Sequence, residues 1–343
     1  MEIKNLQVVR GVAAILVVVT HFFGADLSRI SPYFGHMGVD IFFTLSGFLM
    51  VYSQNESKGA IKFFTGRVKR IYPAYLILSI PLIILAIGTA KPYALVANLF
   101  LLPGFNDPQY TIINYPAWTL VYEMIFYVLF AAALLISKKR TTSCIITVIA
   151  IICSVNIFSG AYEKQGWVNL GYILGDQLML NFAAGCMIGL MYSELKIRKV
   201  INFYVFIMLF AVMLYLGLCV INDIRIIKLG IPSFVIIIIA VFSKPANSRM
   251  YNFLYTIGGA SYSIYLSHIY FAKYSKDIAI NYNVGAGYFY PILFAGLFLS
   301  LLFGLFFYSK IERPLGEWFK KKKNIKNEVI SECGAEYEVN KKQ

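Results

Sequence analysis

The chain contains ten runs of about 17 to 23 residues, each almost entirely apolar and nearly free of charge. A run of that length, coiled as helix, matches a hydrocarbon core about 30 Å thick. No water reaches such a core, so every backbone N–H and C=O must be satisfied within its own helix. The expectation is therefore an all-α, polytopic helical bundle embedded in a membrane. Composition agrees: 59% of the 343 residues are hydrophobic and 14% are charged, against about 25% charged in soluble proteins. No long polar segment leaves room for a soluble catalytic domain, so any chemistry belongs within the bundle or at its two faces.

Flanking charges and turn residues place the spans at about 6–24, 36–54, 72–88, 117–136, 143–158, 172–192, 203–221, 226–243, 254–274 and 288–308. An even count puts both termini on one side, and the distribution of Lys and Arg indicates which side. One set of alternating loops holds 24 basic residues, among them Lys58, Lys62, Arg67, Lys69 and Arg70, Lys138 to Arg140, and nine from Lys310 onward. The other set holds seven: Arg29, Lys91, Lys164, Arg225, Lys228, Lys273 and Lys276. Both termini are thus expected in the cytoplasm. The formal charge of +14 is accounted for by topology and anionic headgroups, and nucleic acid is not an expected partner. Residues 1–310 read as one membrane domain and 311–343 as a polar, disordered cytoplasmic tail. The stretch 92–103 is too short to span and reads as an interfacial or re-entrant piece, with Asn106–Asn114 completing the longest outer loop. The weakly charged start lacks a small-residue cleavage pattern, so the first span reads as uncleaved. The five cysteines lie singly in spans or in the tail, without CxxC or ligand-spaced His, so neither disulfide nor metal is expected.

Ionisable groups within spans are expensive and mark functional sites unless they face one another or a cavity. Arg10 and His21, eleven residues apart, leave nearly the same face of the first span, about 20° apart in azimuth and about 16 Å apart along the axis. Position alone also fits a snorkelling anchor for Arg10 and a helix-packing hydrogen bond for His21. Asp40 lies near the outer end of the second span at the depth of His21. It either holds that ring in one tautomer or merely caps its helix. In the fourth span Glu123 and Tyr127 share a face at i,i+4, close to Trp118 and Tyr122. The ninth ends with Tyr262, Tyr265, Ser267 and His268, the last equally readable as part of an aromatic belt. Arg67 and Arg70, with Lys62 and Lys69 nearby, sit at i,i+3 near the cytoplasmic side, suited to phosphate or to anchoring alone. Cations inside and histidines with carboxylates outside suit a group passed across the membrane. A transporter or flippase of a lipid-linked or anionic saccharide also uses such residues, although no inverted repeat is evident.

Five segments follow in order: VVRGVAAILVVVTHFF, GHMGVDIFFTLSGFLM (which includes Ser46), FFTGRVKRIYPAYL, PAWTLVYEMIFY and ASYSIYLSHIY. Together they resemble the membrane-bound acyltransferase-3 family, whose members O-acylate bacterial polysaccharides, lipopolysaccharide and related glycans, and within it the exopolysaccharide and O-antigen branch. The resemblance carries the R-x10-H pair onto Arg10 and His21 and the R-x-x-R pair onto Arg67 and Arg70. Many members have a second acid and a Gln after the first Glu, where this chain has Met124 and Ile125, so that acid's role does not transfer. No fused extracytoplasmic domain is expected. The implied reaction moves an acyl group, most often acetyl, from cytoplasmic acyl-coenzyme A to a glycan or lipid-linked oligosaccharide at the outer face of the bacterial cytoplasmic membrane. His21, Asp40 and Glu123 are then the expected catalytic group. Arg10, Arg67, Lys69 and Arg70 are expected to bind the donor, and Ser46, Trp118, Tyr122, Tyr127 and His268 to support the acceptor.

Overall fold

The computed structural model describes residues 3–57, 59–105, 111–160, 168–195, 200–219, 224–282, 286–319 and 321. The expected tail beyond residue 321, Lys58, Lys164, residues 196–199 and part of the expected outer loop (106–110) lie outside the described residues. Among the described residues the elements are helices: α1 (Lys4–Leu27), α2 (Phe34–Tyr52), α3 (Ala60–Leu85), α4 (Pro92–Phe100), α5 (Trp118–Ile136), α6 (Arg140–Phe158), α7 (Leu170–Gly175), α8 (Leu178–Glu194), α9 (Phe203–Cys219), α10 (Ile231–Phe242), α11 (Arg249–Gly259), α12 (Ser261–Asn281) and α13 (Ala286–Phe307). A 3₁₀ turn at Tyr115–Ala117 opens α5, and wide π turns at Ile226–Gly230 and Tyr308–Glu312 precede α10 and follow α13.

Six of these helical segments are long and apolar enough to cross a membrane: α1, α2, α3, α5 with its 3₁₀ turn, α6 and Gly287–Phe319. Three shorter apolar helices, Leu178–Glu194, Phe203–Cys219 and Ile226–Phe242, join them. Two expected spans are interrupted. The sixth breaks at Asp176 into α7 and α8, and the ninth breaks at Ala260 into α11 and α12. The second break follows Gly258-Gly259, a pair that disfavours helix continuation. Helix α3 starts about 12 residues before its expected span, so Arg67, Lys69 and Arg70 ride on the helix itself. At the other end of the chain the helical rod runs on past residue 310, the expected boundary of the tail, to Phe319.

α1 and α2 occupy the centre. α2 packs most extensively against α8, and α1 lies against α2, α11 and α12. Lipid-embedded helices gain little from burying apolar surface against one another, so close backbone approach through small residues holds them together. At Gly185 an added Cβ would run into the Thr44 carbonyl, and at Gly47 into that of Phe182, so the α2–α8 seam has no room for a methyl group. α1 and α2 meet in the same way, Gly38 lying on the Ala13 carbonyl and Gly35 on Thr20. Tyr262 donates to the Ile71 carbonyl (2.9 Å) and Tyr270 to that of Leu78, tying α12 to α3.

Candidate active site

A cavity of about 120 Å³ opens between α1, α2, α3, α5 and α12. Its walls are mostly apolar, with Phe42, Phe43, Leu45, Leu49 and Phe182 among them, and set into them are Arg10, Arg70, Glu123 and Glu312. Ser46, Thr119, Tyr127, Ser261, Tyr262 and Tyr265 complete the polar lining. The cavity thus gathers five of the expected site residues, Arg10, Ser46, Arg70, Glu123 and Tyr127, from four helices. Glu123 Oε1 accepts hydrogen bonds from Ser46 Oγ (2.7 Å) and from the Tyr127 hydroxyl one helical turn away. Glu312 accepts from Ser263 Oγ. Arg10 donates to Gln7 Oε1 at 3.0 Å.

Arg67 stands beside this cavity. Its guanidinium lies 5.5 Å from the Phe63 ring centre and 5.9 Å from that of Tyr127, and it donates to Ser53 Oγ at 2.5 Å. Lys69 and Arg70 are exposed on α3, and because Arg70 also lines the cavity it marks the mouth.

Beyond the opposite end of the cavity lie the histidines. Ser261, Tyr265 and His268 repeat at i, i+4 and i+7 along one stripe of α12. Tyr265 lines the cavity, shares a 3.0 Å hydrogen bond with Thr119 Oγ1, and has its ring centre 6.0 Å from that of His268. The His268 and His21 rings meet edge to face at 4.7 Å, with Tyr115 6.0 Å from His21. His21 Nδ1 donates to the Val17 carbonyl (2.9 Å) and His268 Nδ1 to that of Tyr265 (2.7 Å). A carbonyl oxygen only accepts, so each Nδ1 carries a hydrogen, and in the neutral form of each ring the lone pair is at Nε2. His268 Nε2 is fully buried without a hydrogen-bond partner. One stripe of α12 and the Arg10–His21 face of α1 therefore run side by side from the cavity to the imidazoles.

Asp40 is not beside His21. Its carboxylate, fully buried, pairs with Arg225 Nη2 at 2.7 Å and accepts from Asn181 Nδ2 at 2.6 Å. The helical rotation explains the correction. Gly35 and Gly38 face α1, and Asp40, two residues past Gly38, points about 200° away from it. That face carries Thr44, Gly47 and Phe48 against α8, which supplies Asn181. Depth differs as well as azimuth: Gly35 meets Thr20 and Gly38 meets Ala13 and Val17 across the antiparallel pair, so Asp40 is level with about Ala13, roughly 10 Å along the axis from His21. The tautomer of His21 is set instead by the carbonyl of Val17 on its own helix.

Tyr122 and Trp118 form a third group. The Tyr122 hydroxyl donates to Asp176 Oδ2 at 2.8 Å, and the Trp118 ring packs edge to face on Tyr122 at 5.4 Å. Asp176 occupies the break between α7 and α8, so this contact braces the interruption. Sequence reasoning missed Glu312, which it assigned to the tail. A signal was present: Glu312 is the only acidic residue between Asp277 and Glu317 and lies four residues, about one helical turn, past the end of an apolar span. Thr119 and Ser261 were also missed and carry no comparable signal.

A family model described as an acyltransferase domain matches residues 3–314, nearly the whole chain. The chain belongs to the acyltransferase-3 family. This acyltransferase is 29% identical over 304 residues to the exopolysaccharide production protein ExoZ of Rhizobium meliloti (strain 1021), an alignment covering 82% of this chain and 89% of ExoZ. It is 27% identical over 183 residues to protein 2 in the picA locus of Rhizobium radiobacter, covering 44% of this chain and 92% of that protein. A shorter stretch of 107 residues is 31% identical to the acyltransferase MdmB of Streptomyces mycarofaciens, covering 28% of this chain and 27% of MdmB. No solved structure matches the acyltransferase.

Proposed function

We propose that the protein is a bacterial cytoplasmic-membrane O-acyltransferase with ten spans and both termini in the cytoplasm, moving an acyl group, acetyl in the simplest case, from acyl-coenzyme A to a hydroxyl of an exopolysaccharide or related surface glycan. Family membership and the likeness to ExoZ support the reaction class and acceptor. The observation that carries the reading is the cavity lined by Arg10 and Arg70 with the paired imidazoles next to it, linked through Tyr265, which lines the cavity and lies 6.0 Å from the His268 ring.

The donor binds at the α3 end, its phosphates drawn by Lys69, Arg67 and Arg70, while its pantetheine arm enters the cavity past Arg10. Extended, that arm is on the order of 15 to 20 Å long, judged against about 3.3 Å per extended residue. The distance from Arg10 to His21 along α1 is about 16 Å, so the thioester reaches the imidazoles. The Tyr265–Thr119 hydrogen bond stands on that route. At the outer end His21 Nε2 takes the proton of the acceptor hydroxyl as its oxygen attacks the thioester carbonyl. The new C–O bond forms, the C–S bond breaks, and His21 returns the proton to the departing thiolate. The same lone pair also suits a two-step route through acyl-imidazole. His268, in ring contact with His21, fixes its position and supports the acceptor. Glu123, held by Ser46 and Tyr127, orients the donor arm or acceptor within the cavity. Asp40 acts through the helix packing rather than on the reacting atoms.

The test is NMR and mass analysis of surface polysaccharide from a host lacking the gene, supplied with wild type or His21→Ala at matched membrane levels. General-base catalysis predicts that His21→Ala loses on the order of 10²-fold or more in turnover. Ester signals restored only by the wild type support the assignment. Equal signals from both proteins remove His21 from its centre.

A further inference from the structure

Arg10, Arg70, Glu123 and Glu312 face one cavity, yet none of them closes into an ion pair. Among the described residues the ion pairs are Arg225–Asp40 and Arg313–Glu317. Two guanidiniums and two carboxylates set separately around a largely apolar space make a net-neutral site with both donors and acceptors. The Ser261 hydroxyl, fully buried and lining the same space, has no hydrogen-bond partner. A buried hydroxyl left in this condition points to an occupant that supplies its partner. Glu312 is brought to the wall by a single π turn at Tyr308–Glu312, a local widening found disproportionately at functional sites.

We propose that Glu312 is a donor-binding residue and that this charge-balanced cavity selects the uncharged, amide-bearing pantetheine arm of acyl-coenzyme A while excluding its phosphates. The inference rests on the acyltransferase reading above. Each amide of the arm offers one N–H and one C=O. A carboxylate accepts from the former and a guanidinium donates to the latter, and the arm's hydroxyl can both donate and accept. Phosphate groups entering the same space would bring further negative charge beside Glu123 and Glu312 in surroundings that screen little. They remain outside with the exposed Lys62 and Lys69. The cavity thus reads the arm, and the surface cations read the nucleotide end.

The experiment measures equilibrium binding of labelled acetyl-coenzyme A to the full-length, detergent-purified protein, in competition with S-acetyl-pantetheine, which carries no phosphate. Wild type is expected to bind both. Glu312→Gln is expected to weaken both by about tenfold, the loss of one charge-assisted hydrogen bond, and to raise the donor KM with kcat largely kept and thermal stability unchanged. Lys69→Gln is expected to weaken acetyl-coenzyme A alone. If Glu312→Gln cannot be recovered from membranes, Ser263→Ala removes the hydroxyl that holds the carboxylate and keeps its charge. It is expected to weaken S-acetyl-pantetheine about threefold. Unchanged affinity for S-acetyl-pantetheine in the Glu312→Gln or Ser263→Ala protein overturns the proposal. So does failure of S-acetyl-pantetheine to compete in wild type that binds acetyl-coenzyme A. Folded wild type that binds neither compound overturns the acyl-coenzyme A reading itself.

Discussion

Replacing Asp40 with alanine separates a packing role from a catalytic one. In the structure its buried carboxylate holds Arg225 at 2.7 Å and Asn181 at 2.6 Å. Removing one partner of a buried ion pair costs about 3–5 kcal/mol because the other charge is stranded. The Arg225 side chain is 28% exposed and can turn partly to water, which lowers the expected cost to about 2–3 kcal/mol. Set against an unfolding entropy of about 0.7 kcal/mol/K for a chain of this length, that cost shifts the apparent Tm down by about 3–4 °C. Thermal unfolding in detergent, read by the loss of monodisperse protein on size exclusion, measures the shift. Turnover per folded molecule should stay within about threefold of wild type, since Val17 sets the His21 tautomer. A carboxylate that fixes a catalytic histidine, as in a Ser-His-Asp triad, is worth about 10⁴ in turnover. A loss of that order at unchanged Tm would refute the packing assignment and return Asp40 to the active site. The double variant Asp40→Leu with Arg225→Met removes both charges together and should recover most of the lost stability.

Gly185→Ala, whose new Cβ would meet the Thr44 carbonyl, should destabilise the α2–α8 seam by at least the about 1–3 kcal/mol typical of overpacking. Gly66→Ala, with open space around it, should not, and equal membrane levels and Tm for the two variants would contradict the packing. Tyr127→Phe removes the hydroxyl bonded to Glu123 but keeps the ring beside Arg67, so kcat/KM should fall by about tenfold, within the worth of a hydrogen bond to a charged group. Tyr127→Leu should fall further, and identical kinetics in the two variants would remove the ring's contribution. His268→Phe keeps a ring against His21 and deletes both nitrogens. Its turnover should fall by about tenfold with acetyl-coenzyme A affinity unchanged, the loss of one hydrogen bond from a ring nitrogen that supports the acceptor, and wild-type turnover would exclude that role.

Much of the site was legible in one dimension because helical periodicity makes it so. The eleven-residue spacing placed Arg10 and His21 on one face of α1, and the face runs from the cavity to the imidazoles. Glu123 and Tyr127, read as i,i+4 neighbours, are hydrogen-bonded to each other. Asp40 was misread because its partners, Asn181 and Arg225, lie 141 and 185 residues away, beyond any local spacing rule. Glu312 was missed because the apolar run ends before it, although the helix does not.

From the sequence alone follow the all-helical, lipid-embedded architecture, the family, and the face of each helix that carries its polar groups. These depend on local quantities: run length, charge density and a repeat of 3.6 residues. Only the tertiary structure decided which polar faces meet. It turned Asp40 toward α8 instead of α1, brought His268 against His21, and carried Glu312 into the cavity. The physical reason is that the rotation and depth of packed helices come from small-residue contacts such as Gly185 on Thr44 and Gly38 on Ala13. Those contacts join segments far apart in the chain, and no single segment encodes them.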